Sequence, residues 1–201
     1  MNAPLWPGPS TKPQPWIGPN SVLQLVPLLE EALGSAECQH LMDLSGLDGL
    51  PHDQGLMREA PAAKLHQAVR AHHPLIAPAL TRKAGERTAD YIIEHRIPIA
   101  ALKVLRRLPP WLAGPLLGRI IEKHSWTFAG SGRFRLRSRL PLVFELADNP
   151  VVRGESADKP ICDWHAAVFQ RLFSDIIDPD MRCVETLCCA KGDPCCRFEV
   201  G

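Results

Sequence analysis

The sequence predicts an α+β fold in which N-terminal helices pack on a small antiparallel sheet. Apolar residues recur at the three-to-four-residue spacing of amphipathic helices as far as about residue 124. Beyond Trp126 the pattern changes to short segments in which apolar and polar residues alternate, with compact turns between them. Helices in the first part of a chain and strands in the second part are typical of this fold class.

Six helices are predicted before the sheet and one between its strands. Gly34 ends the first helix, because glycine readily adopts the backbone conformation found at helix C-termini. Pro74, Pro98 and the pair Pro109-Pro110 separate later helices, because proline interrupts helical hydrogen bonding. The predicted helices are residues 20–33, 37–44, 60–72, 76–95, 99–108, 111–124 and 163–177.

Two of these helices have features that a structure can check. Pro27 falls in the second turn of the first helix, so an irregular start is expected there. In the longest helix, residues 76–95, apolar or small side chains four residues apart are predicted to face the core. These side chains are Ile76, Leu80, Ala84, Thr88 and Ile92.

Four strands are predicted, arranged as two hairpins. In the first strand, arginines alternate with Phe134, Leu136 and Ser138, which places the arginines together on one face. Compact turn sequences at 148–150 and 191–194 end the second strand and join the last two. The predicted strands are residues 133–139, 140–146, 182–190 and 195–200.

Composition and charge exclude several functional classes. Lys and Arg total 23 and Asp and Glu total 22, so the chain lacks the overall positive charge expected for nucleic-acid binding. It also lacks the apolar run of about 18 residues that a membrane span requires. Residues 1–19 are rich in proline and have no signal-peptide pattern, so we expect an extended arm and a cytoplasmic protein. In that reducing compartment, the seven cysteines are expected to be free thiols or metal ligands.

Four of the cysteines are placed symmetrically about Gly192. In a hairpin centred there, Cys188 faces Cys196 and Cys189 faces Cys195, and the two pairs point to opposite faces of the sheet. A mononuclear site can use only one pair, and periodicity does not choose between them. A buried hairpin rich in small apolar thiols and a cross-strand disulfide are the alternatives to a metal site.

Zinc requires about four ligands, so two more must come from elsewhere in the chain. Glu185 lies three residues before Cys188, and a flat strand would place these two on opposite faces. Both can bind one ion only if the strand has a bulge or a bend. Cys162, just before the last helix, is a candidate fourth ligand.

Several motifs in the second half of the chain resemble the vinyl-4-reductase domain family. They are Asp163-Trp164-His165, Val184-Glu185-Thr186 with Cys188, and Gly192-Asp193-Pro194-Cys195-Cys196-Arg197-Phe198. The stretch 124–132 and the helix end at 91–98 are similar to the branch known as bacteriochlorophyll 4-vinyl reductase. The resemblance covers roughly residues 75–200. It implies a ligand-binding domain of the vinyl-4-reductase type at 75–201, preceded by a helical extension at 20–74 and the arm at 1–19.

The resemblance also implies a metal site. The family fold is akin to a trafficking-complex subunit and to haem-nitric-oxide-binding domains, and related sensor domains hold zinc through Cys, Glu, Cys and Cys. That pattern carries over to Cys162, Glu185, Cys188 and Cys196, and it leaves Cys183, Cys189 and Cys195 as non-ligands. A site closed by four protein ligands is structural rather than catalytic.

The function implied by the resemblance is a role in bacteriochlorophyll biosynthesis. We expect a carrier or assembly factor that binds a magnesium porphyrin for a pathway enzyme. Related domains often pair, so the resemblance also implies a homodimer. The alternatives are the vinyl reductase itself and a ligand-sensing regulatory module. A reductase needs a redox cofactor, and no G-x-G-x-x-G motif follows a strand here. A regulatory module would need ATPase and DNA-binding domains, which the sequence lacks.

A porphyrin needs an apolar pocket with a few well-placed polar groups. The predicted wall of this pocket consists of the helices from Ile99 to Ile121 together with three aromatic residues. His124 is the candidate axial ligand of magnesium. Basic residues of the first strand are predicted to pair with the propionates. The wall aromatics are Trp111, Trp126 and Phe128, and the basic residues are Arg133, Arg135, Arg137 and Arg139. A solvated strand face, a helix-end histidine and an ordinary apolar core are the alternative interpretations of these residues.

Overall fold

The structure is a computed structural model that describes residues 15–201. The predicted arm lies outside the described residues as far as residue 14. In the last part of the arm, β1 (Trp16–Ile17) pairs antiparallel with β2 (Met57–Arg58), and Ile17 is buried in the core. None of the helices formed by residues 15–201 combines the length and the apolar character needed to cross a membrane.

The helices follow the predicted order, except that one predicted helix is divided into two. The predicted first helix is two helices, α1 and α2, and Pro27 lies at the start of the second. A proline ring clashes with the carbonyl group four residues earlier, here that of Leu23, which is the last residue of α1. The helices are α1 (Asn20–Leu23), α2 (Val26–Leu33), α3 (Ser35–Ser45), α4 (Glu59–His72), α5 (Ala77–His95), α6 (Ile99–Leu105), α7 (Pro110–Lys123) and α8 (Asp163–Ile176).

The last four strands form an antiparallel sheet, which confirms the predicted fold class. The strands are β3 (Arg133–Arg139), β4 (Leu142–Ala147), β5 (Cys183–Leu187) and β6 (Cys196–Val200), in the spatial order β3-β4-β6-β5. One face of the sheet is apolar and packs on α8. Tilted and edge-on aromatic contacts join Phe144 and Phe198 of the sheet to Phe169 of α8, with ring centroids 5.0 and 5.3 Å apart.

The buried face of α5 differs from the predicted stripe. Ile76 precedes the helix and is exposed, and Leu80 and Ile92 are only half-buried. The residues that α5 buries are small: Ala77, Thr81, Ala84, Gly85, Thr88 and Ala89. They are small because α5 and α8 cross at close range. A Cβ atom added at Gly85 would collide with the carbonyl oxygen of Trp164 and lie 2.8 Å from the Cβ of Ala167.

One hydrophobic core joins the first helices to the sheet. It contains Leu29 and Leu65 from the predicted extension together with Phe144 and Phe198 from the sheet. A polar contact adds to this, because the carboxylate of Glu59 accepts hydrogen bonds at 2.6 Å from both the N–H and the hydroxyl of Ser131. The predicted extension therefore packs directly on the rest of the fold. The boundary at residue 74 remains a prediction from the sequence.

His66 of α4 gives the protein a predicted sensitivity to acid. The imidazole is completely buried beside Trp164, and its Nε2 donates to the carbonyl oxygen of Ser21 at 3.0 Å. Burial lowers the pKa of His66 from 6.5 to about 3. The folded state therefore holds the neutral ring, whereas the unfolded chain binds a proton below pH 6.5. This contribution to stability is complete above pH 6.5 and is lost as the pH falls towards 3.

We predict that the His66→Gln variant loses stability less steeply with acid than the wild type. One proton taken up on unfolding changes the free energy of unfolding by about 1.4 kcal/mol per pH unit. Urea unfolding at pH 7, 6 and 5 should therefore show the two proteins diverging by roughly 2 kcal/mol over this range. Glutamine keeps a donor for Ser21, so the comparison isolates the titration. Parallel pH profiles for the two proteins would contradict this role of His66.

Candidate metal centre

Four acidic side chains converge where the N-terminus of α8 meets the end of the β5–β6 hairpin. Cys162 directly precedes α8, Glu185 lies in β5, Cys188 follows β5, and Cys196 begins β6. One ligand atom from each lies within 4.8 Å of all the others. The Sγ atom of Cys162 is 3.4 Å from that of Cys196 and 3.9 Å from that of Cys188. The structure thus brings the whole predicted ligand set together.

A bulge in β5 aligns two of these side chains. The pairing of β5 with β6 shifts register between Glu185 and Leu187, as the sequence required if Glu185 and Cys188 were to reach one ion. The shifted ladder ends at the pair Leu187–Arg197. Without the shift, strand alternation would direct Glu185 and Cys188 to opposite faces of the sheet.

The hairpin turn differs from the prediction. The strand predicted to continue to residue 190 ends at Leu187, and residues 189–191 form a 3₁₀ helix, so Cys189 does not face Cys195 across the sheet. The carboxylate of Asp193 accepts the N–H of Cys188 at 2.8 Å, which fixes the chain where it leaves the ladder. Gly192 then turns with a φ of 86°, a conformation that favours glycine.

Neighbouring N–H groups point at the sulfur atoms. The amide Nδ2 of Asn149 is 3.3 Å from the Sγ of Cys162 and 3.5 Å from that of Cys196, and the N–H of Cys189 is 3.4 Å from the Sγ of Cys196. Hydrogen bonds from N–H groups favour the charged thiolate form, which is the form that binds metal. The sequence pattern places Asn149 only in a turn, because nothing in it shows that this amide is buried.

Glu185 has one oxygen that lacks a protein partner. Its Oε2 accepts the N–H of Cys162 at 2.8 Å, whereas Oε1 is buried and makes no hydrogen bond. A buried polar atom without a partner costs free energy and calls for an explanation. A cation beside the three thiols explains it, since Oε1 is then a ligand.

The ionisation of the cluster is consistent with a cation site. Burial raises the pKa of Glu185 to about 8 and raises that of Cys162 well above its usual range. Cys188 differs, because hydrogen bonds with the thiols of Cys162 and Cys196 lower its pKa. One thiolate is thus favoured within the cluster, and a bound cation favours ionisation of the other acids as well. Three sulfurs and one carboxylate oxygen are a suitable donor set for zinc, which binds Cys and Asp or Glu ligands with four-fold coordination. The residues present therefore fit the metal that the resemblance implies.

The other cysteines lie outside the cluster. Cys38, Cys183 and Cys195 are buried and Cys189 is half-buried. All seven cysteines belong to the described part of the chain, and all are free thiols there.

The residues predicted to bind a porphyrin fall at two places. Trp111 begins α7 and is 62% exposed, whereas His124 follows the other end of the same helix, about 20 Å away along its axis. Trp126 lies close to His124 in a 3₁₀ helix at 125–127 and is half-buried. Phe128, also half-buried, contacts Phe134 edge-on with a centroid distance of 4.9 Å. His124, Trp126 and Phe128 therefore follow the C-terminal end of α7, whereas Trp111 lies at its N-terminal end.

The prediction that the arginines of β3 share one face holds only for the first part of the strand, where Arg133 and Arg135 lie opposite Ala147 and Glu145. A bulge between Leu136 and Ser138 shifts the register and places Arg139 opposite Leu142, on the other face. All four arginines are exposed, while Phe134 is buried and Leu136 and Ser138 are half-buried. Arg133 lies closest in sequence to Phe128 and forms an ion pair with Asp148 at 2.6 Å. His124 is exposed, and its Nδ1 is 2.8 Å from the carbonyl oxygen of Ile120.

Comparison with known proteins identifies the same domain. Residues 142–201 match the family model of the vinyl-4-reductase domain, and this segment contains all four side chains of the cluster. The chain is also 50% identical over 184 residues to the protein of Cereibacter sphaeroides named bacteriochlorophyll synthase 23 kDa chain. That alignment covers 92% of this chain and 89% of the relative.

Solved structures share the fold at low sequence identity. A mutant H-NOX protein from K. algicida in the Fe(II) unliganded form superimposes with a TM-score of 0.61 at 12% identity, covering 92% of this chain and 96% of that one. A second structure, described as one in which protein-induced porphyrin distortion modulates haem redox potential, has a TM-score of 0.52 at 9% identity and covers 92% and 93% of the two chains. At these identities the likeness extends to the fold alone.

Proposed function

Because the chain belongs to the family of the bacteriochlorophyll synthase 23 kDa chains, we propose that it serves bacteriochlorophyll biosynthesis by holding a magnesium porphyrin intermediate for a pathway enzyme. The observation that carries this proposal is the 50% identity to such a chain across 92% of the sequence. A fold shared with a structure described in terms of a haem porphyrin supports a tetrapyrrole as the ligand.

In this proposal, zinc is the structural component. Cys162, Glu185, Cys188 and Cys196 would hold it, and it would fasten the N-terminus of α8 to the β5–β6 hairpin. Four protein ligands leave no open coordination position for a substrate. Free energy released on binding at such a site contributes directly to folding. The ion therefore supports the scaffold and takes no part in chemistry on the pigment.

The porphyrin would lie where α7 ends and β3 begins. Trp126 and Phe128 supply aromatic surface, and the arginines of β3 supply positive charge for the propionates. At His124, the carbonyl oxygen of Ile120 can only accept, so Nδ1 donates to it, and in the neutral ring Nε2 would be the nitrogen with a lone pair. This tautomer suits an axial ligand of magnesium.

We predict that the purified protein binds magnesium protoporphyrin IX with a shifted Soret band. Trp126→Leu should weaken binding roughly tenfold, because aromatic contact and apolar burial are both lost. The matched control is Trp111→Leu, which removes the same side chain from the far end of α7 and should leave the affinity unchanged. An unchanged porphyrin spectrum with the wild-type protein, or equal losses in the two variants, would rule out this site.

The same complex tests the enzymatic alternative. If the loaded protein reduced a vinyl group of a divinyl porphyrin when NADPH or reduced ferredoxin was added, the carrier function would be replaced by a reductase. The partner enzyme and a homodimeric state remain predictions from the sequence.

A further inference from the structure

A second surface of the molecule exposes apolar side chains in a group. Two neighbouring helices, α6 and α7, and the turn between β3 and β4 contribute them. They are Ile99, Val104, Trp111, Leu112, Leu116 and Leu140, and we call this surface the α6–α7 face. Ile99 is 71% exposed and Leu140 is 69% exposed. Single exposed apolar residues are normal on proteins, but several of them on elements that contact one another are a candidate site of interaction.

The packing of α7 explains why two of these side chains, Leu112 and Leu116, lie on the outside. The inner side of α7 rests on the sheet, where Cβ atoms added at Gly114 and Gly118 would contact Leu142 and Leu136 at 3.1 and 3.3 Å. Leu112 and Leu116 lie on the opposite side of the helix, given 3.6 residues per turn. Because Gly114 lies over Leu142, the N-terminal end of α7 with Trp111 approaches the turn that contains Leu140.

The charge around this face is strongly one-sided. Residues 97–144 contain nine Lys or Arg residues and one acidic residue, Glu122, whereas the whole chain is nearly balanced. The carboxylate of Glu122 accepts the N–H of Leu136 at 2.8 Å, so it is engaged within the fold. The exposed cations that flank the apolar side chains in sequence are Lys103, Arg106, Arg107, Arg119, Arg137 and Arg139. Of these, Arg106 forms an ion pair with Asp175 of α8 at 2.6 Å.

We propose that the α6–α7 face docks on the surface of an anionic lipid bilayer. Its apolar side chains enter the interface between headgroups and acyl chains, and the surrounding cations contact lipid phosphates. Trp111 is suited to this position, because indole rings are enriched at membrane–water interfaces. The contact is peripheral, since no helix of residues 15–201 is suited to spanning a membrane.

The arrangement of charges favours a bilayer over a protein partner. Lys103 directly precedes Val104, and Arg119 lies on the same side of α7 as Leu112 and Leu116. The centre of a protein–protein interface is depleted of charged residues, lysine in particular. At a bilayer surface, long basic side chains lie along the apolar region and extend their charges to the phosphates. The apolar side chains of this face are separate from the proposed porphyrin site, because Trp111 and His124 are at opposite ends of α7.

Flotation of the full-length protein with vesicles tests the proposal. The protein should float with vesicles of phosphatidylcholine and phosphatidylglycerol, float much less with phosphatidylcholine alone, and be released by high salt. Trp111→Ser and Leu140→Ser should each raise the lipid concentration for half-maximal binding roughly tenfold. Leu75→Ser is the matched control, because Leu75 is 95% exposed but lies outside this face, and it should bind as the wild type does.

Three results would overturn the proposal. One is a wild-type protein that stays unbound with anionic vesicles. Another is equal binding by the Trp111→Ser, Leu140→Ser and Leu75→Ser variants. The third is a dimer in sedimentation without lipid that Trp111→Ser abolishes, which would assign the face to a second copy of the chain. Porphyrin titration of the Trp111→Ser variant keeps the two functions separate, since its affinity for magnesium protoporphyrin IX should be unchanged.

Discussion

Cys188→Ser should release the bound metal and strongly destabilise the protein, whereas Cys189→Ser should do neither. The two cysteines are adjacent, but only the Sγ of Cys188 lies in the cluster with Cys162, Glu185 and Cys196. When one ligand is lost the metal is released, and the thiolates and the carboxylate that remain are buried without a cation to balance their charge. Breaking a buried charge pair in this way costs about 3–5 kcal/mol, and the folding free energy supplied by the metal is lost in addition.

The measurement is metal content by mass spectrometry combined with urea unfolding of each variant. We expect about one zinc ion per chain in the wild-type and Cys189→Ser proteins, and much less in Cys188→Ser. A second control is Cys183→Ser, because Cys183 is buried like Cys188 but lies outside the cluster. It separates loss of the metal from the cost of burying a hydroxyl group. Equal zinc retention in the Cys188→Ser and Cys189→Ser proteins would show that the ligand assignment is wrong.

Gly85→Ala should also have a large effect, although it adds only one methyl group. The new Cβ would collide with the backbone of Trp164 and lie 2.8 Å from the Cβ of Ala167, and neither neighbour can move without shifting α8. Overpacking of this kind costs about 1–3 kcal/mol, and contact with backbone rather than with a flexible side chain places this case near the upper end. It outweighs the gain of about 1 kcal/mol that alanine usually brings to a helix.

The matched control for this substitution is Gly118→Ala. Here the added Cβ would meet only the ends of the Leu136 and Leu142 side chains, the nearest at 3.3 Å, and those side chains can rotate. Thermal unfolding should place Gly118→Ala within about 1 kcal/mol of the wild type and Gly85→Ala well below it. Since Trp164 is two residues from Cys162, Gly85→Ala should also speed the release of zinc to a chelator. Similar stabilities of the two variants would contradict the close crossing of α5 and α8.

Most of the helices and strands could be predicted from sequence because their apolar spacing is regular. The errors occur where tertiary contacts override that spacing. In α5 the spacing favours large residues such as Ile76 and Leu80, but the close helix crossing with α8 requires small ones such as Gly85. Hydrophobicity measures the area that a side chain can bury, and it does not show how closely two backbones approach.

In the candidate site, too, some features follow from the sequence pattern and others depend on tertiary contacts. The need for a bulge between Glu185 and Cys188 follows from strand alternation, and the structure has that bulge. The end of β5 at Leu187 does not follow from the pattern, because it depends on the side chain of Asp193 capturing the N–H of Cys188. The two contacts of Asn149 with sulfur atoms are hidden for a similar reason: they join segments 13 and 47 residues apart.

The most direct test of the account is the zinc coordination shell, measured by X-ray absorption on the purified protein. The cluster predicts three sulfur neighbours at about 2.3 Å and one oxygen at about 2.0–2.2 Å. The same measurement on Glu185→Gln should change the oxygen contribution and retain the three sulfurs. A shell of four sulfurs would contradict the account, because it would replace Glu185 by another cysteine, and so would a protein that is folded and free of metal.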